Sequence, residues 1–328
     1  MKKTIKRILA SLLCVCFCIA FSITAGAADA LSDILASLDT VEKYDIIEYD
    51  YVTGNEQVIS WESIPDYSKT VSSTFSLSNP ATKAPEFHSY ELSDSLPVLN
   101  QPVRTYLNGD PYSGVVYLAL GVDTDFNGQT NRYGKATGFL VRPNVVVTAA
   151  HNILNKDTSI GTIVEVRVYS DCDDSTLPED TSKNFVYPSK WWYTDSFQGY
   201  EHQTNAYDYD WAVILLQEDI DDTYLFNCST VSDSASELSG YLEMIGYCGN
   251  QNAYQYGSTG FLQSLEQRHI VIGMPILPGH SGSPLTDKSS HICYGIATAS
   301  SEDYMLNICT RITPVVFDTI CYAIENFA

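Results

Sequence analysis

Basic residues are scarce in this chain. Eighteen lysines and arginines stand against forty aspartates and glutamates, a formal charge of −22 over 328 residues. Four of the basic residues and none of the acidic ones lie in the first 27 positions, so the chain beyond them is more acidic still. Such a surface repels phosphate backbones and anionic lipid, and no nucleic-acid or membrane partner is expected. Beyond the N-terminus there is no other long apolar run. The acids are scattered rather than clustered, which reads as a solubility device and does not identify a substrate.

Closely spaced metal-ligand cysteines are also missing. Six cysteines follow the first 27 residues (Cys172, Cys228, Cys248, Cys293, Cys309 and Cys321), and no two have CxxC or CxxxC spacing. A structural zinc site is therefore not expected, nor is any other metal or cofactor. An even number in an exported chain permits disulfides, and six cysteines allow fifteen connectivities. Cys293–Cys309 is the favoured pair, flanking a loop between two strand-like segments.

The N-terminus carries an export pattern: Lys2, Lys3, Lys6 and Arg7, then "ILASLLCVCFCIAFSI", then Ala25-Gly26-Ala27. The apolar core is short for a membrane span and ends at small residues, so residues 1–27 read as a cleaved signal and the protein as secreted. Residues 28–94 mix acids with apolar residues and then become rich in Ser, Thr and Pro. They read as a propeptide with a soft link to the main domain at 95–328.

From about residue 110 the texture changes to short β-branched and aromatic segments broken by turns. "GVVYLALGV", "GKATGFLV", "NVVVTAA", "TIVEVRVYS", "DWAVILLQ", "GYLEMIGYCG", "HIVIGM", "HICYGIATAS" and "MLNICTRIT" are the clearest. This spacing predicts an antiparallel all-β barrel or sandwich, in two lobes that divide near the polar stretch 227–240. One helix is expected at the end, N-capped by Thr313 with Pro314 in its first turn and a core face of Val316, Phe317, Ile320, Ile324 and Phe327. "DTDFNGQTNRYG" (123–134) opens like a calcium loop, but Gly134 stands where a bidentate glutamate is needed, so a hairpin loop is expected.

Three side chains stand in distinctive settings. His151 ends "VVVTAAH", where an apolar strand runs into small residues and stops at an imidazole. Asp210 opens "DWAVILL", with Asp208 competing for its role. Ser281 lies between glycines in "PGHSGSPL". Acyl transfer needs a nucleophile, a base and a group to orient the base, and the three supply one each. Each motif also has a bland reading as a strand end or a turn. The order His, Asp, Ser argues against two rivals. The α/β-hydrolase elbow needs a glycine where Ser283 stands and a histidine downstream, where only His291 exists. The subtilisin order needs an aspartate upstream of His151 in a comparable setting, and none has one.

The remaining order is that of the two-barrel serine proteases. "TGFLVRPNVVVTAAHNI", "YDWAVILL" and "GHSGSPL" resemble the active-site segments of the trypsin-like fold. "DPYSGVVYLAL" and "NICTRITPVVFDTI" are similar to its bacterial glutamyl endopeptidase, or V8-like, branch. The resemblance covers about 95–328. It implies two six-stranded antiparallel β-barrels with a C-terminal helix, and a secreted monomeric serine endopeptidase acting on protein or peptide substrates. It further implies His151 as base and later acid, Asp210 as its orienting group, Ser281 as nucleophile, and the backbone N–H groups of Gly279 and Ser281 as the oxyanion hole. A binding or adhesion protein with a vestigial triad, and an esterase on the same scaffold, are the alternatives.

Two departures bear on function. His280 replaces the aspartate that many trypsin-type relatives place before the nucleophile; its adjacency to Ser281 argues against its acting as the base. Glutamate-preferring relatives carry Gly-Ile-His after the nucleophile, whereas this chain reads Gly295-Ile296-Ala297. Ile276 stands five positions before Ser281, where Thr or Ser is frequent. With Ala299 as a further lining position, this implies an S1 pocket suited to apolar or small residues.

Overall fold

In the computed structural model the described residues are 44–70, 103–104, 112–154, 161–170, 172, 181–200, 203–221, 223–232, 235, 238, 240–248, 255–300 and 307–327. The expected signal (1–27) and most of the expected propeptide (28–43 and 71–94) lie outside them. Residues 44–328 form one compact unit.

Two antiparallel sheets organise this unit. The first contains β1 (Ile46–Asp50), β2 (Asn55–Ile59), β4 (Val115–Asp123), β5 (Arg132–Arg142), β6 (Val145–Thr148), β7 (Thr162–Tyr169), β8 (Pro188–Thr194) and β9 (Ala212–Leu216), in the order β2-β1-β8-β9-β6-β5-β4-β7. The second contains β3 (Val103–Arg104), β10 (Tyr241–Tyr247), β11 (Gln255–Leu265), β12 (His269–Gly273), β13 (Pro284–Asp287), β14 (Cys293–Ser300) and β15 (Asn307–Arg311), in the order β10-β13-β14-β15-β12-β11-β3. A further β10–β11 pairing closes six of these strands into a barrel. Each sheet buries its own apolar cluster. Val116, Leu118, Leu140, Val146 and Ile214 belong to the first, and Met244, Ile270, Ile272, Leu285 and Tyr294 to the second.

The first sheet stays open as a half-barrel. Val168 and Val186 exchange two backbone hydrogen bonds of 3.0 and 2.9 Å, but β8 then gives its edge to β1 over five register pairs. Polar composition hides β1 from pattern reading, because Glu48 interrupts its apolar residues. In the fold that carboxylate is 3% exposed and neutralised by Lys190 at 2.6 Å. The chain crosses between lobes just before the polar stretch. Phe226 N–H donates to Leu140 O in the first sheet, while Asn227 O accepts from Cys293 N–H in the second.

Helix α1 (Tyr67–Thr70) is a single turn; α2 (Pro314–Phe327) ends the chain. Val316, Phe317, Ile320 and Ile324 are buried, as the spacing predicts. Two details differ. Thr313 accepts the first helical bond through its carbonyl, from Phe317 N–H, but its buried hydroxyl caps nothing. Phe327 is 37% exposed, because the helix has run past the core and lays this ring against Trp192.

All six described cysteines are buried, and none forms a disulfide. The favoured Cys293–Cys309 pair is not made, and register explains why. Cys309 lies opposite Ala297, four residues along β14 from Cys293, a distance of about 13 Å. Cys293 instead neighbours Cys228 through a parallel bridge. The 124–131 segment is the β4–β5 hairpin loop, knitted by its own side chains: Asp123 accepts Asp125 and Gly128 N–H, and Asp125 accepts the Asn127 and Asn131 amides.

Candidate active site

Strand β6 delivers His151. Its valines are fully buried between β5 and β9, and Ala149 and Ala150 have no exposed surface, so a short 3-10 turn at Ala150–Asn152 starts from a fixed platform. Strand β9 begins two residues after Asp210, and its pairing with β6 brings the carboxylate to that turn. Asp210 is fully buried and grips the histidine twice. Its Oδ1 accepts the His151 backbone N–H at 2.8 Å, and its Oδ2 accepts the ring at Nδ1, 2.6 Å away. Burial alone would depress the imidazole's proton affinity. The Asp210 charge and hydrogen bond outweigh it, and the His151 pKa is raised. With Nδ1 holding the proton toward Asp210, Nε2 is left as the basic nitrogen.

Asp208, the competing carboxylate, is engaged elsewhere. It bonds His269 Nδ1 at 2.6 Å, tying the 3-10 turn before Asp210 to strand β12 of the other lobe. Thr310 adds a second tie, donating to Tyr207 O at 2.6 Å and to Asp210 O at 3.1 Å.

Ser281 lies in the tight turn between β12 and β13 and is partly exposed. First-lobe side chains hold that turn from both sides. Thr137 N–H donates to Ser281 O at 2.9 Å, and Thr137 Oγ1 donates to Gly279 O at 2.8 Å. Asn152, adjacent to His151, donates Nδ2 to Ser281 O at 2.9 Å and to Thr148 Oγ1 at 2.9 Å. The Ser281 turn and the His151 turn are thus joined through one amide side chain. No hydrogen bond joins Ser281 Oγ to the His151 ring among the described residues.

Two glycines shape the turn. Gly279 has φ +98°, and a Cβ there would come 2.5 Å from Tyr247 O. Gly282 has φ +89°, and a Cβ would come 2.0 Å from Thr137 O. Neither the Gly279 N–H nor the Ser281 N–H donates to a backbone carbonyl among the described residues, whereas His280 N–H is used by Leu277 O at 2.9 Å.

His280 is fully buried, and burial pushes its pKa down to about 4, so the ring is neutral. Its Nδ1 accepts Leu277 N–H at 3.2 Å. Ile276 and Ala297 are 4% and 0% exposed and belong to the apolar core of the second barrel, so these two expected S1 positions have apolar surroundings. Ala299 is half-buried farther along β14, while Thr298 between them donates to Ile308 O at 3.0 Å.

Sequence reasoning missed Tyr200. Its hydroxyl donates to Asp210 Oδ2 at 2.6 Å, and its ring meets the His151 ring edge-on, centroids 5.6 Å apart. A lone tyrosine in a polar loop carries no pattern that marks it. Asn152 and Thr137 were missed for the same reason.

A family model described as "Trypsin-like peptidase domain" matches residues 136–296, the stretch that holds all three candidate residues. Over that stretch the chain is similar to a trypsin-like peptidase domain. A glutamyl endopeptidase of Bacillus licheniformis is 27% identical over 227 residues, covering 64% of this chain and 62% of that protein. An extracellular metalloprotease of Bacillus subtilis is 27% identical over 217 residues, covering 65% of this chain and 64% of that protein. The match therefore spans less than two thirds of either curated relative. A solved Glu endopeptidase superposes with TM-score 0.54 at 19% identity, covering 70% of this chain and all of that one, and it shares the fold. The family model, the curated relative and the shared fold together support a trypsin-fold protease of the V8-like type. Among the described residues no helix is long and apolar enough to cross a membrane, and no group of His, Cys, Asp and Glu side chains is arranged to hold a metal ion.

Proposed function

We propose that this chain is a secreted serine endopeptidase, made as a precursor, that cleaves peptide bonds through Ser281, His151 and Asp210. The observation that carries this reading is the double grip of Asp210 on His151, with the Ser281 turn bonded to the next residue along, Asn152. Asp210 would hold the tautomer in which Nε2 is free to take the Ser281 proton. The serine oxygen would then attack the scissile carbonyl, and the Gly279 and Ser281 N–H groups would take up the developing negative charge. His151 returns the proton to the leaving amine, and water, activated the same way, hydrolyses the acyl-enzyme. Active sites of this kind commonly tighten only when substrate is bound, so an unengaged Ser281 hydroxyl is compatible with the scheme.

Secretion rests on the export pattern at 1–27, and on the B. subtilis relative being extracellular by name. The apolar surroundings of Ile276 and Ala297 favour small or apolar P1 residues, since a substrate carboxylate without a partner is costly to bury. A fluorophosphonate probe tests the central claim. The mature protein should be labelled, and Ser281→Ala should abolish labelling. A protein that stays unlabelled while folded favours the second reading, a binding protein on a protease scaffold, for which the unengaged Ser281 hydroxyl is the supporting observation.

A further inference from the structure

Residues 44–70 fall inside the stretch that composition marks as a propeptide, yet they are built into the protease domain. Strand β1 pairs with β8 from Ile46↔Thr194 to Asp50↔Lys190, and two more backbone bonds extend the seam, Asp195 N–H to Asp45 O and Tyr51 N–H to Ser189 O. The edge that β1 covers belongs to the half-barrel where it fails to close. Tyr51 spans the gap, since its hydroxyl accepts Val166 N–H from β7.

The side chains bind this seam as firmly as the backbone does. Glu48 accepts from Lys190 Nζ at 2.6 Å, Trp192 Nε1 at 2.9 Å and Gln57 Nε2 at 2.9 Å. Tyr49 stacks on Trp191 at 4.6 Å with the rings 13° from parallel. Farther along, Trp61, Ile64 and Tyr67 are buried. Tyr67 donates to Glu325 at 2.8 Å and Ser68 N–H to Asp318 at 2.6 Å, fastening the segment to α2. Removal would bare an apolar seam and the β8 edge, and would leave the buried Trp192 N–H without its acceptor. No hydrogen bond from residues 44–70 reaches His151, Asp210 or Ser281 among the described residues. At its start, Tyr44 meets the ring of Tyr209, the neighbour of Asp210, edge-on with centroids 5.6 Å apart.

We propose that residues 44–70 are a permanent strand-and-helix clamp of the working protease. Maturation, which this inference takes from the precursor reading above, would then nick the chain without discarding the clamp. A cut within 71–102 would fall between two anchored pieces, the clamp on the first sheet and β3 on the second, where Val103 and Arg104 pair with Gly257 and Tyr256. The partner that the β8 edge and α2 recognise is therefore this chain's own N-terminal segment, held without a covalent bond.

The test uses the full chain carrying Ser281→Ala, with a site for an unrelated sequence-specific protease inserted within 71–102 and cut. The two fragments should elute together in native buffer and separate only in denaturant. Adding Glu48→Ala and Tyr49→Ala should release the N-terminal fragment at a lower denaturant concentration. Free elution of that fragment in native buffer overturns the proposal, as does retention that the two substitutions leave unchanged. Because the serine is absent, retention is read independently of catalysis; retained fragments with no fluorophosphonate labelling of the unsubstituted enzyme would refute the peptidase reading alone.

Discussion

Tyr200 and His151 share one oxygen of Asp210, each 2.6 Å from Oδ2. The tyrosine sits on a loop, 42% exposed, while the carboxylate is wholly buried. A surface residue therefore stabilises the negative charge that holds the histidine. Removing its hydroxyl leaves that charge less satisfied, and the carboxylate then binds the imidazolium more tightly. Tyr200→Phe should move the acid limb of kcat/KM to higher pH by about half a pH unit and lower the rate below neutrality by up to about 3-fold. A pH profile measured on both proteins checks this, and an unmoved limb would show Tyr200 to be packing only.

At the Ser281 turn the backbone leaves no room. Gly279→Ala puts a Cβ 2.5 Å from Tyr247 O at a φ of +98°, so the amide must swing away from where an oxyanion would form. The expected loss is ~10²–10³ in kcat with a smaller change in KM, the size associated with losing one such donor. Steady-state kinetics on a soluble peptide measures it.

Specificity follows from the apolar barrel wall at Ile276 and Ala297. Peptides with Leu or Phe at P1 should exceed the matching Glu peptide in kcat/KM by at least about 10-fold, the scale of one unpaired buried polar group. A clear Glu preference would mean that a carboxylate ligand lies elsewhere in the site.

Asp318 gives a stability prediction. Burial raises its pKa to about 7, against the opposing effect of the Ser68 N–H. Because the folded value lies above the unfolded value of about 4, the stability tied to this group is complete below that pH and is lost as pH rises through about 7. Asp318→Asn should therefore raise Tm by roughly 5 °C at pH 8 and give no gain at pH 4, read by thermal melts.

Legibility tracked distance along the chain. His151 and Asp210 could be found because each lies at the end of an apolar strand whose pattern is local. Tyr200 could not, although it touches the same carboxylate, because a loop tyrosine has no periodicity. Asn152 and Thr137 act on partners 129 and 142 residues away, and their neighbours in sequence say nothing of that. Strand β8, "PSKWWYT", and strand β11, "QYGSTGFLQSL", carry too many polar residues and glycines for pattern reading, and tertiary pairing makes them strands. Composition marked residues 28–94 as one segment. Within it, β1 and β2 are strands because Lys190 neutralises Glu48 from 142 residues away, a compensation that no window of sequence contains.

Thr137 touches both flanks of the serine, and its own hydroxyl is fixed in turn by Tyr247 N–H at 2.9 Å. The reactive turn is thereby moored to a strand of the opposite lobe. Neither half of this molecule, produced separately, would hold the Ser281 turn in this position. Any change that shifts one sheet against the other would slacken those moorings and displace Ser281 from afar.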